Sequence, residues 1–487
     1  MKRFITLLLL AAMLVSCGSG STESKDTSSA DNTDSTTEPE VTTESEEAKL
    51  PDIDLGGKTV TILVSGNQID YFDIEEQDGD IVDDAIWQAR ENVADRLNCK
   101  IKYMRDPANG DWNNCQETIN YVTSSVMADS GDFDAVDNQS YMGNYLVNGL
   151  LVDMGKMKYI DIDNPWWDKS ITENVSLNGK YPFLAGSYSL GRTASIFCIY
   201  YNKNIAADFD LPDLYQLVYD GGWTIDKLQE YSEMVYSDLN GNGEVDKDDR
   251  FGMLFEGGNY VSGFYVPCGV KALNVENGKF VLDYDNSHNV EVVERLEELM
   301  KTKGVYHDYD VYSAGYDYKK SIFAEGNSLF NGGLFETASN YRNVSFDYGI
   351  LPYPKYSETD KDYVQSAHIT VGLLGIPKSN YDTDSTSAVL ECLSYEYYKN
   401  VIPAYYETTM KVKYSSDNET ANMLDFISSR LSYDAGIVLT GALDYKIDVT
   451  FKECILQLDN WTTRLAKINN SIKSLVEKLN EEYDQLG

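Results

Sequence analysis

The chain has 487 residues, with 79 acidic against 40 basic side chains, a formal net charge of −39 and three histidines. A length of this order calls for two or three compact units at roughly 100–200 residues each, with enough core to fold without staples. Such acidity, with no block of Lys and Arg to neutralise phosphates, argues against nucleic acid as a partner. Aromatic residues make up 12% of the chain, 37 Tyr against 16 Phe and 6 Trp, and rings that carry a hydroxyl point to surfaces, wet clefts and polar ligands.

Lys2 and Arg3 precede an apolar run over residues 4–15, too short to span a bilayer and suited to a signal segment. It ends Leu14-Val15-Ser16-Cys17-Gly18, which resembles the bacterial lipobox. That resemblance implies removal of residues 1–17 as a lipoprotein signal peptide by cleavage before Cys17, with diacylglycerol on the Cys17 thiol. Residues 18–50 are dominated by Ser, Thr, Asp and Glu and cannot bury enough surface to order themselves, so they read as a disordered tether. No later stretch approaches the ~18 consecutive apolar residues of a membrane-spanning helix. The expected location is the outer face of the cytoplasmic membrane, held by lipid.

Residues 59–65, Thr-Val-Thr-Ile-Leu-Val-Ser, form a β-branched run between glycines and predict a buried strand. Val82, Ile86, Ala89, Val93 and Leu97 recur at spacings of three and four, a helix with one apolar stripe, and residues 100–104 read as the next strand. A helix over 118–127 and a strand over 133–136 continue the alternation, which predicts an α/β sheet covered by helices. Further strands are predicted at 194–201, 251–255, 328–330, 348–351 and 369–376. After about residue 384 the pattern is helical, ending in a stripe of Leu465, Ile468, Ile472, Leu475 and Leu479, with Trp461 ahead of it and structural. Trp223 opens a helix and reads as a core anchor, and at least one of the adjacent Trp166 and Trp167 should be packed.

Residues 238–249 match a twelve-residue calcium loop. Side-chain oxygens fall at the first, third, fifth, ninth and twelfth places as Asp238, Asn240, Asn242, Asp246 and Asp249; Glu244 offers a backbone carbonyl, and Gly243 takes the sharp turn. Asp249 in place of the usual Glu resembles dockerin loops. The expectation is one structural Ca²⁺, clipping a helix end.

Signatures of catalysis are missing. There is no GxSxG elbow and no HExxH, and His288, His307 and His368 are isolated in sequence. Residues 149–157 miss the phosphate-loop spacing. Cys99, Cys115, Cys198, Cys268, Cys392 and Cys454 are scattered and read as small buried hydrophobes. Glycoside hydrolysis needs only two spaced carboxylates, so a surface glycan-active enzyme stands as the alternative reading, with a glycan adhesin as a third.

Several segments in order carry a resemblance. They are Met127-Ala128-Asp129-Ser130-Gly131-Asp132-Phe133-Asp134, then Asn148-Gly149-Leu150-Leu151-Val152-Asp153-Met154, then Tyr200-Tyr201-Asn202-Lys203. Gly221-Gly222-Trp223-Thr224-Ile225-Asp226 and Phe346-Asp347-Tyr348-Gly349-Ile350-Leu351-Pro352 follow. Together they resemble the carbohydrate-type extracellular solute-binding lipoproteins of ABC importers, the maltose-binding-protein-like family. The resemblance implies a two-lobed α/β fold of the periplasmic-binding type (type II) with a helical C-terminal portion. By it the first lobe is 51–190 with 366–410, and the second is 191–365 with 411–487. It further implies a monomer that is not an enzyme, and that hands an oligosaccharide or similar polar solute to a permease.

Sugar rings need aromatic platforms beside amides and carboxylates, which directs attention to loops after strands. Asn67 and Gln68 follow the first strand; Gln139, Ser140 and Tyr141 follow the third; Asn259 and Tyr260 follow the strand at 251–255. Trp112 in a polar loop is a platform candidate. The resemblance adds Phe335, standing where the family often has Trp, and Glu336.

Overall fold

The computed structural model describes residues 50–487 except 111, 257, 308–320, 407–417 and 457–458; the signal segment, Cys17 and the tether up to residue 49 lie outside the described residues. Strand β1 (Thr59–Val64) pairs in parallel with β2 (Lys100–Arg105) on one side and β3 (Ala135–Asp137) on the other. Helix Ile81–Leu97 joins β1 to β2 and buries Val82, Ile86, Ala89, Val93 and Leu97, the five positions of the predicted stripe. Its ends are set chemically: the Asp80 carboxylate accepts the Val82 N–H, and Asn98 closes the helix in the left-handed region. A short late strand, β11 (Leu374–Gly375), adds antiparallel to β3, giving the order β11-β3-β1-β2.

The second sheet takes β4 (Phe197–Asn202), β5 (Phe251–Phe255), β8 (Val305–His307), β9 (Ser328–Leu334) and β10 (Tyr348–Leu351) in the order β10-β4-β9-β5-β8. Its strands β4, β5, β9 and β10 are buried at every residue, as expected of a sheet covered on both faces. A separate hairpin joins β6 (Leu273–Glu276) to β7 (Lys279–Leu282) through Asn277-Gly278, both at positive φ as a two-residue turn demands. Helices Lys446–Ile455 and Trp461–Gln485 form the C-terminal portion. The fold is therefore two-lobed α/β with a helical end.

Four expectations are corrected. Of residues 369–376 only Leu374 and Gly375 are strand, and residues 191–194, the last of which was expected to open β4, are a short helix. Both segments cross between the sheets, where ladder pairing shrinks to the single bridge Ile196–Ala367: the His368 N–H donates to the Ser195 carbonyl at 2.9 Å and the Phe197 N–H to the Ser366 carbonyl at 3.0 Å, while Gln68 Nε2 donates to the Thr370 carbonyl at 2.8 Å. In the last helix Leu465, Ile472 and Leu479 are buried, but Ile468 and Leu475 are half-buried and Val476 and Tyr483 complete the face. The drift follows from a 3.6-residue period laid on a hairpin, with Tyr483 packed edge-on against Phe280.

The fourth correction concerns tyrosine. Many phenols are buried, and four of them donate to a distant backbone carbonyl: Tyr200 to Leu334, Tyr284 to Ile447, Tyr353 to Tyr260 and Tyr397 to Tyr71, at 2.7–3.0 Å. Trp223 is in the core and donates to the Pro352 carbonyl, as its reading as an anchor required. Trp166 and Trp167 are both packed, and both indoles donate to the buried Glu391 carboxylate, which also takes the Asn164 amide. The six cysteines among the described residues are free; Cys115 is half-buried and the others are buried. No helix among the described residues is long and apolar enough to cross a membrane.

Candidate functional site

Asn67 sits in the turn Gly66–Tyr71 after β1, the turn Gln139–Tyr141 follows β3, and Asn259 lies in the turn Gly258–Phe264 after β5. These turns face one another across a cavity of about 260 Å³ between the two sheets. Asn67, Trp112, Gln139, Ser140 and Tyr141 line it from the first sheet, and Asn259 lines it from the second. Residues His368, Ile369 and Thr370 of a crossing segment line it too, and Asp448, Val449 and Lys452 of helix Lys446–Ile455 complete it.

Local geometry holds this wall in place. Gln139 is bent into the left-handed region at φ 50°, an uncommon strain for this residue type, and its amide donates to Asn67 Oδ1 at 3.1 Å. Trp112 is 53% exposed, free on one side for a ring to stack, while Tyr445 meets it edge-on at 4.9 Å. The Tyr445 hydroxyl donates to Asn144 Oδ1 at 2.9 Å, so the start of the C-terminal helix is pinned to the first lobe. A Cβ on Gly441 would lie 2.2 Å from the Ser140 carbonyl, so only glycine lets this segment lie against the turn.

Four expected contacts are elsewhere. Gln68 is buried and serves the crossing at Thr370. Tyr260 does not line the cavity; its carbonyl receives the Tyr353 hydroxyl. Phe335 is fully buried, because a ring without a polar group at the end of a doubly covered strand gains more in the core than at a wet rim. Glu336 is exposed and accepts the Tyr71 hydroxyl at 2.6 Å, joining a turn of the first lobe to one of the second. In the predicted calcium loop, Asp238 accepts the Gly241 and Gly243 N–H groups, Asn242 accepts that of Glu244, and Asp246 receives the amides of Asn240 and Asn242. Asp249 accepts the Tyr236 hydroxyl. No group of three or more His, Cys, Asp or Glu side chains among the described residues is arranged to hold a metal ion.

The charged groups in the cleft are paired. Lys452 Nζ donates to Asn259 Oδ1 at 2.7 Å and lies 3.9 Å from Asp448, whose carboxylate also takes the Ser262 hydroxyl at 2.8 Å. Burial pushes the His368 imidazole down to about 4, with the Lys452 ammonium acting the same way and the Asp448 carboxylate opposing. The ring is neutral at pH 7, with Nδ1 facing the Thr370 N–H at 3.4 Å and the Thr370 hydroxyl at 3.0 Å. The lining thus offers amides, hydroxyls, a neutral imidazole and one open indole face.

The residues 112–394 match the family model described as bacterial extracellular solute-binding protein. The chain belongs to that family. No curated protein sequence matches it. Among solved structures, this solute-binding protein is similar to an ABC substrate-binding protein of Listeria monocytogenes in complex with cycloalternan, at 13% identity over 87% of this chain and 98% of that one, TM-score 0.55. It is also similar to the GacH receptor of Streptomyces glaucescens, at 12% identity over 86% and 99%, TM-score 0.56. The lacto-N-biose-binding protein of Bifidobacterium longum matches at 11% identity over 89% and 97%, TM-score 0.54. Identities this low carry the fold alone.

Two outcomes follow from the geometry. The unfolded chain protonates histidine near 6.5 but the folded cleft refuses that proton down to about 4, so the stability lent by neutral His368 is complete above pH 6.5 and lost as pH falls toward 4. In urea titrations the advantage of the native protein over His368→Gln should shrink by about 2 kcal/mol between pH 7 and 4.5; parallel profiles would refute the assignment. Tyr71→Phe removes one hydroxyl between the lobes. Such a bond is worth about 1 kcal/mol, so the closed-to-open ratio should fall roughly fivefold and the radius of gyration in solution scattering should rise; an unchanged radius would mean that the bond does not restrain closure.

Proposed function

We propose that this solute-binding protein captures a short oligosaccharide in the cleft between its lobes and delivers it unaltered to the permease of an ABC importer. The observation that carries the reading is the exposed face of Trp112 beside Asn67, Gln139 and Asn259, an aromatic platform flanked by amides, at one cavity between two sheets. Binding outside the ends of strands in an open α/β crevice supports it further. The similar proteins of known structure were solved with cycloalternan, acarbose and lacto-N-biose, which supports a carbohydrate solute. We assign the first lobe to residues 51–190 with 366–410 and the second to 191–365 with 411–487. The body acts as a monomer moored outside the cytoplasmic membrane through lipid on Cys17. Lobe closure on the solute is the state the permease reads.

Calorimetric titration with linear and cyclic maltodextrins, lacto-N-biose and other short oligosaccharides should find one that binds, while long polymers do not. Trp112→Ala should weaken that binding at least tenfold, by roughly 1.5 kcal/mol, with an unchanged thermal midpoint because the ring is exposed. A panel without binding, or turnover of any sugar, would overturn the reading. In bacteria expressing the full chain, Cys17→Ser should move the protein from the membrane fraction to the medium and end its labelling by a fatty-acid analogue. Retention without label would defeat the anchor.

A further inference from the structure

We propose that the loop over residues 238–249 binds one Ca²⁺, and that the ion clips the end of helix Ile225–Val235 to the start of β5, at the edge of the second lobe remote from the cleft. The decisive atom is Asp249 Oδ1. Asp249 is fully buried, yet this oxygen has no hydrogen-bond donor. A buried carboxylate oxygen without a partner is costly, and in folded proteins it is met by a donor, a water or a cation. The other oxygen, Oδ2, accepts the Asp246 N–H at 3.3 Å and the Tyr236 hydroxyl at 2.8 Å, so the carboxylate is turned onto the loop.

The rest of the donor set is mixed rather than purely acidic. Asn240 and Asn242 both reach the Asp246 carboxylate, at 3.1 and 2.7 Å, so the third, fifth and ninth places already converge. Gly243, at φ 79°, makes the sixth-place turn that lets its N–H reach Asp238 Oδ2 at 2.9 Å. The Asn240 and Asn242 oxygens accept the Asn242 and Glu244 N–H groups, and the carboxylates are not gathered as a metal group in this structure, so filling the site would turn both amides and draw Asp238, Asp246, Asp249 and the Glu244 carbonyl about the ion. Six oxygens on an adaptable loop suit Ca²⁺, whereas Mg²⁺ demands a tighter octahedron and keeps its water.

The loop stands on a closed neck, because Ser237 and Arg250 exchange both backbone hydrogen bonds at 3.0 and 2.9 Å. Below the neck Tyr236 packs on Phe251, the first residue of β5. The cleft turn bearing Asn259 leaves the other end of this five-residue strand, about 17 Å away at 3.3 Å per residue. The ion is therefore a stabilising clip and no part of the solute site, and the inference stands apart from the reading of the solute.

The test uses the whole chain, stripped with chelator and titrated with CaCl₂ alone. One site should fill with a dissociation constant in the range of about 10⁻⁵–10⁻³ M, and saturating Ca²⁺ should raise the thermal midpoint by about 2 °C or more. Terbium should luminesce at the site when tyrosine is excited, through Tyr236. Asp249→Asn should abolish both signals. Since a buried substitution can fail to fold, Asp238→Asn at the half-buried first place should abolish them too. Absence of any shift or luminescence in the native chain would overturn the proposal. So would a shift that Mg²⁺ or equal ionic strength of NaCl reproduces, or one that survives Asp238→Asn, since either marks diffuse binding to the acidic surface.

Discussion

The chain must pass between its two sheets at residues 366–372, where strand pairing is reduced to the single bridge Ile196–Ala367. Beyond that bridge its polar backbone would be left bare at the centre of the molecule, which is expensive. Gln68 meets the Thr370 carbonyl and the Ser195 carbonyl meets the His368 N–H, while the hydroxyls of Ser195 and Thr370 lie 3.2 Å apart. The residues that repair the crossing are thus neighbours of those that line the cavity: Gln68 adjoins Asn67, and His368 and Thr370 are themselves in the wall. A solute that touches this wall acts directly on the segment about which the lobes would move.

The same arrangement explains what the sequence disclosed. Strands β1, β2, β5 and β10 and the stripe of helix Ile81–Leu97 rest on local periodicity, so they were legible. Asn67, Trp112, Gln139, Ser140, Tyr141 and Asn259 could be found because ligands gather where strands end, and each lies in or beside a loop of that kind. His368, Asp448 and Lys452 could not. Each reaches the cavity only through topology, one on a crossing and two on a helix some 190 residues beyond Asn259. Phe335 came only with the family likeness, at a position that often holds Trp, and a ring without a polar group prefers the core there. The hairpin at Asn277-Gly278 had a readable turn signal that its short flanking strands obscured.

Charge is distributed with the same economy. The surface bears the excess of acidic groups, which keeps such a body soluble and repels anions. Inside the cleft, Lys452 is balanced by Asp448 and the imidazole of His368 is held neutral. A charged solute would have to disturb that balance, whereas hydroxyl groups can bridge amides and carboxylate without displacing any ion. The wall therefore favours a neutral, hydroxyl-rich molecule on electrostatic grounds that are separate from the likeness to other proteins.

Aromatic packing shows how a contact at the crossing could reach the opposite wall. His368 meets Phe197 edge-on at 5.6 Å, Phe197 meets Tyr353 at 5.8 Å, and Tyr353 meets Phe264 at 5.0 Å. The Tyr353 hydroxyl ends this row on the Tyr260 carbonyl, one residue from Asn259. A Cβ on Gly263 would lie 2.3 Å from the Tyr353 ring, so only glycine there allows the row to close. Edge-to-face rings in a dense core resist small displacements, and a shift at one end must be accommodated along the whole row. The row thus joins the crossing to the Asn259 turn, and the hydroxyl of Tyr353 matters to that link: a phenylalanine at 353 would fill the same space and leave the turn untied.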